Sequence, residues 1–316
     1  MAGQRYDGGA FLKELCRALE LSLTPKLIRS NTNLIYDCDD WILRLTPNSF
    51  RSADEVKREL HWMAFVGTQT DDVVQVIQNG SETTRQFICG DESFTAVRLE
   101  KIEGRTVQPD DWNAKHFEQL GELTASLHRI GQDYAPRKED DLLEWDEVPE
   151  VELAKHLPAD DLNLPNLNQA AFDYLQALPR TPGTYGPLHC DIHAGNYLLT
   201  EDDRIMLFDF ENSCRGHYIN DMAVVLYYAR LNKLSGEDTG FAARFQASFW
   251  KGYAKGYPVP EQEVHHIPWL LLNRGLTVYS YMLKIWPDER TPEQAAYMQR
   301  VEDGIIADSH DCGLSG

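Results

Sequence analysis

Asp191, Asn196 and Asp209 are oxygen-bearing side chains within one short segment, at a spacing that suits phosphoryl transfer. The segment reads His189-Cys190-Asp191-Ile192-His193-Ala194-Gly195-Asn196, runs on through Tyr197-Leu198-Leu199, turns at Thr200–Arg204 and continues Ile205-Met206-Leu207-Phe208-Asp209-Phe210-Glu211. This is an HxDxxxxN loop leading into a strand, a tight turn, and a second strand ending in Asp-Phe-Glu. Transfer from ATP needs a group that orients the attacking hydroxyl and accepts its proton, and it needs oxygen ligands for magnesium. Asp191, Asn196 and Asp209 supply that set. An antiparallel hairpin sets the start of one strand beside the end of the next, so Asn196 and Asp209 are expected to converge on one metal ion, with Asp191 projecting from the loop before them. The plainer alternative has Asp191 capping a turn and Asp209 merely ending a strand.

The elements that must hold this segment are readable from hydrophobic period. Phe11, Leu15, Ala18 and Leu19 recur at helical spacing, and Thr24-Pro25 closes that segment. Asn33–Cys38 and Trp41–Thr46 read as a β-hairpin turning at Asp39-Asp40. A helix follows over residues 53–66 with Val56, Leu60, Met63 and Ala64 as its stripe. Val73–Gln78, Arg85–Cys89 and Phe94–Glu100 read as three further strands, the first two parted by an Asn79-Gly80 turn signal. Beyond Gly104 and Pro109 helical patterns dominate: Phe117, Leu120, Leu123, Leu127 and Ile130 mark one helix, and others fall near 168–178, 220–230, 241–255, 264–284 and 292–306. The expected architecture is α+β, a small strand-rich lobe over residues 1–100 and a larger, mainly helical lobe over 101–316, with a crossover near 100–104.

The catalytic segment resembles that of the aminoglycoside phosphotransferase and choline kinase superfamily, which shares the two-lobed protein-kinase-like fold. That resemblance implies that Asp191 is the catalytic base, that Asn196 and Asp209 are magnesium ligands and that His189 supports the loop. It implies that Arg44 stands where protein kinases carry a lysine for the ATP phosphates, with Glu59 on the next helix as its partner. An outward-facing Arg44, with Glu59 paired along its own helix, fits the sequence as well. Backbone groups from Glu100 to Ile102 would meet the adenine. Two features depart from protein kinases: no GxGxxG lies between the first strands, where the chain offers Ser30-Asn31-Thr32-Asn33, and no APE-like segment follows Asp209. The Ser30–Thr32 stretch reads as a phosphate-contacting loop or as an ordinary turn. Glu211, in place of the DFG glycine, faces a metal or substrate or caps its strand. Asp221 matches a family aspartate that braces the catalytic loop, and it also suits a helix N-cap.

Composition limits the alternatives. The chain has 316 residues with a formal charge of −20, which disfavours nucleic acid and anionic membrane surfaces as partners and suits a cationic or neutral acceptor. From Lys138 to Asp161 ten acidic residues stand against two lysines, a solvated face or a cation-binding rim. No apolar run approaches membrane-spanning length and no signal pattern opens the chain, so a cytoplasmic protein is the default expectation. The six cysteines form no CxxC pair and read as reduced thiols. His193 and the pair His265-His266 read as structural histidines, and Trp269, Tyr279, Tyr281 and Trp286 as core rather than a quaternary-ammonium pocket. The leading function is an ATP- and magnesium-dependent kinase of a small-molecule hydroxyl on an amino sugar, amino alcohol or hydroxy amino acid. An atypical protein Ser/Thr kinase and a non-catalytic nucleotide-binding protein are the alternatives.

Overall fold

The computed structural model describes residues 9–22, 24–78, 82–154, 157–158, 163–231, 240–286 and 289–314. The Asn79-Gly80 turn signal and the end of the acidic stretch, at residues 159–161, lie outside them. The contacts divide the chain into two units. One comprises the residues up to Arg105 together with Tyr134–Leu142 and Leu198–Glu211; the other comprises Thr106–Asp133, Leu143–Tyr197 and Asn212 onward.

The first unit is built on an antiparallel sheet. Strands β1 (Lys26–Ser30), β2 (Leu34–Asp37), β3 (Trp41–Pro47) and β6 (Glu92–Glu100) lie side by side, and β4 (Val76–Ile77) and β5 (Thr84–Cys89) both pair with β6. The β2–β3 turn falls at Asp39-Asp40 as expected, with Asp39 in the left-handed region (φ 63°) that Asp tolerates better than most residues. Strand β1 was not legible: it is mostly exposed, so it carries no alternation of apolar and polar positions. Leu34, Tyr36, Leu43, Leu45, Phe87 and Phe94 form one face of the sheet and bury Phe11, Leu15 and Leu19 of helix α1 (Gly9–Leu19). Helix α2 (Ala53–Gly67) begins in a capping box, with the Ser52 hydroxyl accepting from Glu55 N and Glu55 accepting from Ser52 N. It buries Val56, Leu60, Trp62, Met63 and Val66, and with them the charged Glu59.

Two distant pieces of chain complete this unit. Strand β9 (Ile205–Leu207) docks beside Val73, where Val74 N donates to Leu207 O and Leu207 N to Asp72 O, both at 2.9 Å. Its hairpin partner β8 (Tyr197–Leu199) exchanges two 2.9 Å bonds between Leu199 and Arg105. Tyr134 packs on Trp62, ring centroids 4.8 Å apart, and its hydroxyl meets His61 Nδ1 at 2.9 Å.

The second unit is helical. Helices α3 (Ala114–Gly131), α4 (Pro149–Ala154), α5 (Leu164–Gln176), α6 (Ile219–Leu231), α7 (Phe241–Tyr253), α8 (Ile267–Ile285) and α9 (Pro292–Asp311) follow in chain order. Strands β7 (Tyr185–Leu188) and β10 (Cys214–His217) pair antiparallel beneath the loop that carries Asp191. Helix α6 is buried almost all round, as its unbroken apolar run requires. Helices α3 and α7 meet through small residues: a Cβ on Gly121 would lie 2.0 Å from Phe249 O, and one on Gly252 would lie 1.9 Å from Glu118 O. The expected helix positions are met to within a few residues; β10 and α4 were not anticipated. Among the described residues no helix is long and apolar enough to cross a membrane, and all six cysteines are free.

The α3–α7 contact makes a stability prediction. Gly252→Ala drives a methyl into backbone and should cost more than about 3 kcal/mol, whereas Gly304→Ala, with nothing within 4 Å, should gain roughly 0.5–1 kcal/mol from helix propensity. Thermal unfolding of the two variants checks both signs.

Candidate active site

The loop between β7 and β8 is shaped from behind. Asp221, in the first turn of α6, is fully buried, and its carboxylate accepts from Cys190 N at 2.8 Å and from His189 N at 3.2 Å. His128 Nε2 meets the same carboxylate at 3.1 Å, His128 Nδ1 meets Tyr253 OH at 2.8 Å, and the imidazole stacks on Tyr218 with centroids 4.2 Å apart. The Asp221 side chain therefore reaches the loop amides. His189, also fully buried, takes the Asp191 N–H on its Nδ1 at 3.2 Å. Cys190 is held left-handed (φ 62°), a conformation that costs a non-glycine residue free energy and persists because these bonds over-determine it. Farther along, Asn196 N donates to His193 O, and Tyr197 OH meets His116 Nε2 on α3 at 2.9 Å.

Asp191 sits at the centre of this scaffold, only 9% exposed. One carboxylate oxygen is ion-paired to Arg274 of α8; the other accepts from Asn196 Nδ2 and Asn212 Nδ2, each at 3.0 Å, with His193 Nε2 at 3.6 Å. Arg274 is itself fixed by Tyr228, whose hydroxyl lies 2.7 Å from Nη2 and whose ring lies beneath the guanidinium at 5.0 Å. Burial pushes the Asp191 carboxyl upward, but the charge of Arg274 and the hydrogen bond and charge of His193 outweigh it and hold the group well below the usual carboxylate range. Asp191 is thus a carboxylate at any physiological pH.

Asn196 donates both to Asp191 Oδ2 and to Asp191 O through one amide nitrogen, each bond 3.0 Å. That consumes the donor end and leaves the amide oxygen as the end able to serve a cation. Asp209 belongs to the sheet unit; it too is left-handed, at φ 66°. Both groups are oxygen donors, the type magnesium takes, and among the described residues no cluster of three or more His, Cys, Asp or Glu side chains offers an all-protein cage.

In the sheet unit Arg44 and Glu59 form a buried bidentate pair with N–O distances of 2.6 and 2.7 Å. Arg44 is therefore not outward-facing, and Glu59 does not pair along its own helix. Glu211 accepts from Asn33 Nδ2 at 2.6 Å, and Asn33 Oδ1 in turn accepts from Thr46. Burial raises the Glu211 carboxyl against the lowering charges of Arg51 and Arg44. Ser30 ends β1, and Asn31 and Thr32 fall in the turn to β2, with Asn31 N bonded to Asn33 O at 3.1 Å. Glu100 ends β6; its N–H is taken by Gln75 O, and Ile102 follows in the irregular segment.

A cavity lies in the helical unit, and its walls include Cys190, Asn212 and Arg274, the chain neighbour and two partners of Asp191. Trp145, Val148, Val151, Leu175 and Leu270 make much of the remainder. His193 belongs to the Asp191 network, while His266 pairs with Tyr174, whose ring stacks on Trp269 at 4.2 Å. Sequence reasoning missed Arg274 and Asn212. Asn212 follows directly on the Asp-Phe-Glu motif, and Arg274 is the one charged residue between Ile267 and Leu283, a lone charge on an apolar helix that must find a partner when buried.

Residues 28–261 match the phosphotransferase enzyme family, APH, and the chain belongs to that family. It is 25% identical over 297 residues to the amicoumacin kinase of Bacillus subtilis (strain 168), covering 88% of this chain and 87% of that one. It is 27% identical over 255 residues to a homoserine kinase of Cupriavidus pinatubonensis, covering 78% and 73% of the two chains. In fold it is similar to amicoumacin kinase hAmiN in complex with AMP-PNP, Ca2+ and Ami (TM-score 0.84, 22% identity, 98% and 96% of the two chains). A microcompartment-associated aminopropanol kinase also shares the fold (TM-score 0.73, 19% identity, 95% and 97%). The expected kinase-like fold and superfamily are met, and the chain is a kinase-type phosphotransferase.

Two predictions follow from these geometries. Glu59→Ala strands a buried guanidinium and should cost about 3–5 kcal/mol of stability, read by denaturant unfolding. Arg274→Leu removes the charge that lowers the Asp191 carboxyl, so the acid limb of kcat/KM should move to higher pH; an unmoved limb would show that another group sets it.

Proposed function

We propose that this protein transfers the γ-phosphoryl group of ATP, with magnesium, to a hydroxyl of a small molecule. One observation carries the reading: a buried carboxylate, Asp191, is kept ionised by Arg274 and the amides of Asn196 and Asn212, and two of those partners, Arg274 and Asn212, also line a cavity of the helical unit. In phosphoryl transfer the protein chiefly positions groups and stabilises charge, and a carboxylate so held can orient the hydroxyl and take its proton as the new bond forms. The low proton affinity of Asp191 suits a loose transition state, in which the hydroxyl proton leaves late.

Asp209 and the Asn196 amide oxygen would hold magnesium, which supplies charge neutralisation on the phosphates. Arg44, fixed by Glu59, would present its guanidinium to phosphate oxygens, and the Ser30–Thr32 stretch would offer its hydroxyls, the Asn31 N–H being already paired. Adenine would be met by the Glu100 carbonyl and the Ile102 N–H, since the Glu100 N–H is already paired. Glu211 orders Asn33, and His189 and Asp221 shape the loop. The kinases of amicoumacin and homoserine among its relatives support a small acceptor.

The test is magnesium-dependent ADP release from ATP with amicoumacin, homoserine, 1-amino-2-propanol, choline, kanamycin and a generic protein substrate. Asp191→Ala should lower turnover about 100-fold or more with ATP affinity intact, and Asp209→Ala should weaken magnesium-dependent ATP binding. Near-full turnover by Asp191→Ala would sink the assignment of the base, and stimulation by protein alone would transfer the reading to a protein kinase.

A further inference from the structure

His217, the last residue of β10, is a buried polar side chain of the cavity that the phosphotransfer reading does not use. It is 4% exposed, and neither Nδ1 nor Nε2 has a hydrogen-bond partner. Its ring stands edge-on to Tyr185, centroids 4.9 Å apart, so the contact is aromatic and leaves both nitrogens unserved. A buried, unpaired imidazole is destabilising, and such a group in a cavity wall is explained most simply by a partner that arrives with the ligand.

The chemistry of that partner is constrained by its surroundings. Burial, with the charges of His266 and Arg180 next, lowers the His217 imidazole to a pKa of about 4, so the ring is neutral at pH 7 and has one N–H to give. The largely apolar walls do not welcome an ammonium group. The cavity's charged side chains are Arg274 and Glu150, one of each sign, so its lining residues carry no formal net charge despite the acidity of the whole chain.

Resting on the phosphotransfer reading, we propose that the acceptor is an uncharged, partly apolar hydroxy compound bearing a carbonyl oxygen, and that His217 donates a hydrogen bond to that oxygen. The apolar body packs on Trp145, Val148, Leu175 and Leu270, and the hydroxyl lies at the end of the cavity walled by Asn212 and Arg274. His217 acts as a binding residue that sets specificity and takes no part in bond making.

The experiment compares the full-length protein with His217→Leu and His217→Gln. Without ligand, His217→Leu should raise Tm, because an apolar side chain replaces an unpaired polar one; an unchanged or lower Tm means the imidazole already has a structural role, and the proposal falls. Calorimetric binding of N-benzoylserinamide, an uncharged hydroxy amide, should be saturable and tighter than that of choline or kanamycin. It should weaken about tenfold in His217→Leu, the loss of roughly one hydrogen bond, and be partly restored in His217→Gln, which keeps a donor. In turnover the loss should appear in the acceptor KM with little change in kcat. Stronger binding of the cationic probes, no saturable binding of the amide, or equal binding by His217→Leu overturns the inference. Binding of the amide without Asp191-dependent ADP release would instead sink the phosphotransfer reading and leave the cavity assignment standing.

Discussion

A carboxylate withdrawn from water must be kept ionised, and much of the helical unit follows from that constraint at Asp191. Isolated burial would neutralise it, since the charged form loses its hydration. One guanidinium, two side-chain amides and a nearby imidazole replace the lost water. Each of these must in turn be fixed: Arg274 by Tyr228, Asn196 by a second bond to the Asp191 carbonyl, and the loop by Asp221 and His128. The left-handed Cys190 is the local cost of aiming Asp191 while its neighbours' N–H groups turn back toward Asp221.

The sheet unit solves the opposite problem with a cation. Arg44 lies at 3% exposure in the middle of β3, opposite Val97 of β6 and Ile35 of β2, and the bidentate carboxylate of Glu59 makes that position tenable, helped by the charges of Asp209 and Glu211. Such a pair contributes little net stability against a well-packed apolar alternative, because desolvation of both charges offsets their attraction. Its presence is better explained by the need for a rigid cation than by the fold's need for strength.

What the sequence disclosed and what it hid separate along a physical line. Signals carried by neighbouring residues were readable: the HxDxxxxN loop, the Asp39-Asp40 turn, and the helical stripes of α3 and α8. Interactions between residues far apart in the chain were not. Arg274 stands 83 positions from Asp191, and nothing local to α8 names its partner. The exposed β1 and the short β10 lack the alternation that marks a half-buried strand. Asp221 admitted two readings because an aspartate in a first helical turn suits both; only the direction of its side chain distinguishes them, and that is tertiary information.

The same distinction applies to charge. A formal −20 describes the solvated surface, where each charge is screened over about 10 Å at moderate ionic strength. A cavity is governed by the few groups in its wall and by their partners, and these are counted by geometry rather than composition. Here the wall joins one guanidinium, one glutamate, a neutral imidazole and three asparagine amides to a run of apolar side chains. An acidic protein can therefore hold a nearly neutral pocket. A ligand in that cavity would desolvate His217 and its neighbours, so these groups weigh more on the choice of acceptor than the charge of the chain does.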